Sequence, residues 1–148
     1  MEKLSQAEEN KLAGMCKGAQ TVVANMQTNL DKALEKRQTT YQKISDNLAG
    51  IVEKLKVAGV DTTELEVVIA SVETQTAQVI ALIQTHQTTL ADLVLIDCSA
   101  DPAGFKSALQ AAREDRKSIV TASQAVKRYV TDNLKPILKT IRENLAAR

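Results

Sequence analysis

The sequence is short of the residues from which sheets and catalytic centres are usually built. It has no Trp, two Tyr and one Phe, so aromatics make up 2% of its 148 residues. Strands favour aromatic and β-branched residues, and a chain dominated by Ala, Leu, Val, Thr, Gln and Lys suits long helices better than a sheet. Five Gly and two Pro leave little material for turns. A formal net charge of +1 does not offer the basic surface needed to neutralise several phosphates, which argues against nucleic acid as a partner. No uninterrupted apolar run approaches the roughly 20 residues of a membrane span, so no integral membrane segment is expected. The opening Met1-Glu-Lys-Leu-Ser lacks the apolar stretch of a secretory signal. With one His and two Cys, no convergent set of nucleophile, base and metal ligands can be picked out. No enzymatic activity, cofactor or metal is therefore expected.

What the chain does have is 44% hydrophobic and 25% charged residues, enough for one globular core. The charge is unevenly placed. Residues 1–56 sum to +2, residues 57–105 hold seven acids and no Lys or Arg, and residues 106–148 sum to +6. Two punctuation marks divide the chain. At Ala58-Gly59-Val60-Asp61-Thr62-Thr63-Glu64, Gly59 suits the left-handed end of a helix, and Asp61 with Glu64 suits the N-cap and reciprocal acid of the next. At Asp97-Cys98-Ser99-Ala100-Asp101-Pro102, Asp101 can cap and Pro102 can occupy a first helical turn. Pro136, inside the third segment, is expected to kink or end it.

Each segment shows an apolar seam at three- and four-residue spacing. The first runs Val23, Met26, Leu30, Leu34, Tyr41, Ile44, Leu48, Ile51, Leu55, and the second Leu65, Ile69, Val72, Val79, Ile83, Leu90, Leu93. The third runs Phe105, Leu109, Ala112, Ile119, Val126, Val130, Leu134, Ile137, Ile141, Leu145. The expected fold is all-α: helices over 19–57, 61–96 and 102–146, joined by short corners into an elongated antiparallel three-helix bundle. At 1.5 Å rise per residue its length is roughly 55 to 65 Å. Residues 1–18 are read as an N-terminal extension or the first turns of helix one, and 19–148 as a single domain.

Counted from Gly59, Cys16 and Cys98 fall at nearly the same height in an antiparallel hairpin, about 6 Å apart along the axis. A disulfide is within reach; the alternative is two buried free thiols. Taken together, Cys16, the corner Lys56-Val57-Ala58-Gly59-Val60-Asp61-Thr62-Thr63-Glu64-Leu65, Cys98 before Phe105-Lys106-Ser107-Ala108-Leu109, and Ile137 to Arg142 after a Lys-Pro resemble uncharacterised helical-bundle proteins exported by candidate-phyla-radiation bacteria (Patescibacteria). The resemblance implies an exported location, with a signal peptide removed ahead of Met1, and supports a Cys16–Cys98 disulfide. It implies no activity. Free cysteines would instead fit a cytoplasmic protein.

His86 lies on the second seam and is expected to be packed or partly solvated rather than metal-bound, since zinc would need further ligands nearby. Arg37 and Arg116 interrupt seams and are expected to snorkel from the boundary or pair with Glu35, Asp115 or Glu114 rather than bind an anion. The least ordinary stretch is Thr74 to Ala91, eighteen residues without Asp, Glu, Lys or Arg, including five Thr and four Gln. Its outward face is expected to hold Gln75, Gln78, Thr85, Thr88 and Thr89, a candidate interface that would cost less to desolvate than a charged one. The alternative is a solvated polar face. The function expected is that of a non-enzymatic, secreted, periplasmic or surface-associated bundle binding an unidentified protein or itself. A periplasmic holdase or a lipid-binding bundle is the other reading.

Overall fold

A computed structural model describes residues 5–148. The described chain is all-α: α1 spans Gln6–Val57, α2 Thr63–Leu95 and α3 Pro102–Tyr129, followed by a π-turn at Val130–Leu134 and α4 at Lys135–Ala146. Among the described residues there is no strand. Residues 1–4 of the expected extension lie outside the described residues, and α1 runs unbroken through residue 18.

The first corner forms as the glycine signal anticipates, with its cap displaced by one residue. Gly59 has φ +76° and donates to Lys56 O, while Val60 N donates to Leu55 O, so two carbonyls that α1 would leave orphaned are satisfied. Asp61 Oδ1 accepts from Thr63 N at 3.0 Å and from Thr63 Oγ1 at 2.7 Å, and buried Thr62 becomes the residue that enters α2. The acid that reaches back is Glu66, bound to Thr62 Oγ1 and to Lys56 Nζ, both at 3.0 Å; the expected Asp61–Glu64 pair is replaced by this one. Asp61 is held below the usual carboxylate range by the Thr63 amide, and Glu66 by its bonds to Lys56 and Thr62.

At the second corner Asp97 Oδ1 gathers the amides of Ser99 and Ala100, and Asp101 Oδ1 caps α3 through Gly104 N at 2.8 Å. The Asp101 carboxylate occupies the space where a Cβ on Gly104 would stand, which explains the glycine there. Pro136 stands where the regular part of the third helix is interrupted, as expected. It follows the π-turn, where Lys135 N bonds back to Val130 O, and it sits in the first turn of α4, where a missing N–H is tolerated.

Contacts divide the chain into two compact units. Unit one comprises Met1–Glu35 with Leu82–Ser118, and unit two Lys36–Ala81 with Ile119–Arg148. The core of unit one is Cys16, Val23, Leu90, Leu93, Cys98, Phe105 and Ala112, flanked by Ala19, Leu30, Ala108 and Leu109. The core of unit two is Leu48, Leu55, Leu65, Val68, Ile69 and Leu134, flanked by Tyr129, Val130, Ile137 and Ile141. Every expected seam residue of α2 is buried, whereas Met26, Ile44 and Ile51 of the α1 seam and Leu145 of the third are exposed. α2 is also long and uncharged enough to pass a length-and-composition test for a membrane span, with a mean hydropathy of 1.3 over its best window. Its seam from Leu65 to Leu93 is buried, whereas 28% of that window as a whole is.

Candidate functional site

Unit one carries most of the residues singled out from the sequence. Cys16 and Cys98 form a disulfide, with Cα atoms 5.6 Å apart and 82 residues between them in sequence. The bond is nearly inaccessible to solvent and joins the first third of α1 to the segment after α2. Beside it, Gln20 Nε2 donates to Leu93 O at 3.0 Å and to Ile96 O at 2.7 Å, supplying a partner for carbonyls at the C-terminal end of α2. Gln20 Oε1 then faces Cys98 Sγ at 3.1 Å. A disulfide in this position is compatible with an oxidising, extracellular type of compartment.

The residues of the uncharged stretch divide by exposure. Gln78, Thr85 and Thr88 are exposed; Gln75 and Thr89 are half-buried. Gln75 Nε2 donates to Ser71 Oγ on its own helix. Thr89 turns toward α3, where its hydroxyl reaches Asp115 Oδ2 at 2.7 Å, shorter than the 3.1 Å to Thr85 O, so its single proton belongs to the carboxylate. Thr88 by contrast bonds back to Gln84 O at 3.3 Å, as Thr74 does to Ala70 O at 3.0 Å. Back-bonding of this kind satisfies the hydroxyl within the helix and leaves its methyl group as the outward surface. Helical spacing continues this face of α2 in unit one through exposed Gln84, Thr88 and Ala91 to Leu95, which is 82% exposed. Gln84 and Leu95 were missed in the sequence, although the step from Thr88 through Ala91 to Leu95 is visible there. Leu95 follows the seam residue Leu93 and reads by composition as part of the seam's end.

His86 is buried, as expected, at 6% exposure. Its Nδ1 has no hydrogen-bond partner, and Asp115 Oδ2, at 3.9 Å, lies beyond hydrogen-bonding distance. Burial pushes the imidazole below its usual 6.5; Asp115 pulls the other way, and Arg116 adds to the lowering. Arg37 Nη1 donates to Ser123 Oγ at 2.8 Å in unit two, a partner outside the acids considered for it.

Each unit also has open grooves. One in unit one, about 460 Å³, is lined by Leu12, Met15 and Ala103 with Glu8, Lys11 and Lys106. One in unit two, about 570 Å³, is lined by Leu65, Ile137, Ile141 and Leu145 with Asp61, Glu64 and Arg148. Neither groove is lined by Cys or His, and among the described residues no group of three or more His, Cys, Asp or Glu is placed to hold a metal ion. The chain matches no protein-family model, no curated protein and no solved structure.

Proposed function

We propose that this chain is an exported, non-enzymatic bundle of three antiparallel-packed helices that acts by binding a protein partner or a second copy of itself through the uncharged face of α2. The bundle reading rests on the register of the side-chain contacts within each unit. Cys16 with Cys98 and Asp31 with Gln87 in unit one, and Ser45 with Glu73 in unit two, pair rising numbers on α1 with falling numbers on α2 or the segment after it. That order supports antiparallel neighbours. Arg37 with Ser123 and Ala58 with Arg148 rise together, as α1 and the third segment must if each runs against α2. Export rests on the buried disulfide and on the resemblance to exported Patescibacteria bundle proteins.

The observation that carries the binding role is the exposed surface of Gln84, Thr85, Thr88, Ala91 and Leu95, none of them charged, with one acid, exposed Asp92, a turn beyond Thr88. An exposed helix face ordinarily carries Lys and Glu, which are depleted at interface cores because their desolvation is costly. Thr88, whose hydroxyl is already bonded to its own helix, has little hydration to lose. Placing charges at Thr85→Lys and Thr88→Glu tests the reading. Both positions are exposed, so the melting temperature should hold within a few degrees while association, measured by sedimentation or by recovery of a partner from the native surface, is lost. Unchanged association in the double variant would refute this face as the interface. Thr89 is left out of the test because its bond to Asp115 makes it part of the packing of unit one.

A further inference from the structure

The single His of the chain is buried with Nδ1 unpartnered, and the carboxylate nearest that atom is already engaged by another side chain. A neutral imidazole can leave one nitrogen as a bare acceptor, but an imidazolium must donate from both. Among the described residues, the only carboxylate in ion-pairing range of His86 Nδ1 is Asp115, whose Oδ2 is 3.9 Å away and already accepts from Thr89. The charged groups acting on the ring are both on α3, Asp115 favouring the cation and Arg116 opposing it. α2 contributes no charged side chain between Thr74 and Ala91, and on α1 Asp31 is occupied by Gln87 Nε2 at 2.7 Å.

We propose that His86 is an acid-operated latch of unit one: protonation at buried Nδ1 opens the packing of α2 against α3 around Asp115, while the Cys16–Cys98 bond keeps the opened segments tethered. The proton is more easily held once the ring meets water than inside the packed unit. Its folded value is lowered by burial, so between 6.5 and that value the open state binds more protons than the closed one. Closure is therefore fully favoured above 6.5, weakens as pH falls through that window, and levels off below it. One proton makes the opening constant rise by up to about tenfold per pH unit there. What opening would present is the apolar side of α2 in this unit, Ile83, Leu90 and Leu93.

The experiment uses the full, oxidised chain. Because there is one His, its imidazole signal in a pH titration is unambiguous. Its midpoint should fall below 6.5, and Thr89→Val, which releases Asp115 to turn toward the ring, should raise it. Amide exchange, corrected for intrinsic rates, should accelerate at pH 5 relative to pH 7.5 in residues 82–95 and 105–118 but not in unit two. His86→Gln, neutral throughout, should abolish that acceleration. A midpoint at or above 6.5, unaltered protection of unit one at pH 5, or acceleration that persists in His86→Gln each overturns the proposal. The titration and the amide exchange of the unmodified chain together decide the matter even if a variant folds poorly.

Discussion

At the scale of single residues, backbone conformation and local space decide more than hydrophobicity does. Gly59 is the one described residue with positive φ, a region that costs residues with a Cβ about 1–2 kcal/mol. Gly59→Ala should therefore lower stability by about that amount in a denaturant titration, whereas Gly50→Ala, with open space around its Cβ position and a helical backbone, should be neutral or mildly stabilising. Gly104 is constrained for another reason. Gly104→Ala would drive the Asp101 carboxylate from its capping position, so the variant should lose about 1 kcal/mol, no more than Asp101→Ala loses by removing the same cap. These positions differ in how far they can be read in the sequence. Gly59 and Asp101 lie in recognisable corner patterns, but the hydrogen bond from Thr89 to Asp115 joins residues 26 apart on different helices, and no local signal reports it.

At the scale of elements, the π-turn before Pro136 shows how one residue corrects the phase of a seam. In an unbroken α-helix Leu134 would stand about 80° around the axis from Val126. Absorbing one residue in the turn brings it back to within about 20°, and both residues are buried. The same turn frees Pro136 from the carbonyl its ring would otherwise strike. Deleting exposed Thr131 should convert the turn to α-helix and recreate that clash. The deletion should be strongly destabilised and should recover about 3 kcal/mol when combined with Pro136→Ala, measured by chemical unfolding. Sequence periodicity locates the helices because spacing is a property of one strand of chain. It follows α2 well, since that helix buries its whole seam from Leu65 to Leu93, and less well α1, where Met26, Ile44 and Ile51 keep seam spacing yet stay exposed. How much of a seam is covered depends on the neighbours. Spacing is silent on that, and equally silent on the division into two units.

At the scale of the whole molecule, the disulfide and the charge distribution make separate predictions. Both cysteines belong to unit one, and the bond spans 82 residues, for which chain-entropy arguments give about 4–5 kcal/mol as an upper range. Replacing both with Ser should lower amide protection in unit one more than in unit two and leave helical circular dichroism nearly unchanged, because the corner caps do not involve the bond. Charge offers an association route independent of the uncharged α2 face: residues 57–105 carry seven acids and no Lys or Arg, and residues 106–148 sum to +6. Association by that route should weaken steeply between low and high salt, whereas association through Thr85 and Thr88 should be nearly indifferent to it. Sedimentation at two ionic strengths separates them.

The cysteine count also determines how the protein can mature. Two thiols allow a single intramolecular pairing, so oxidative folding needs an electron acceptor but no isomerase to sort scrambled forms. The wrong pairing between protein thiols is a bond between two chains, and its yield rises with concentration. Producing this protein is thus a matter of dilution and oxidant rather than of shuffling.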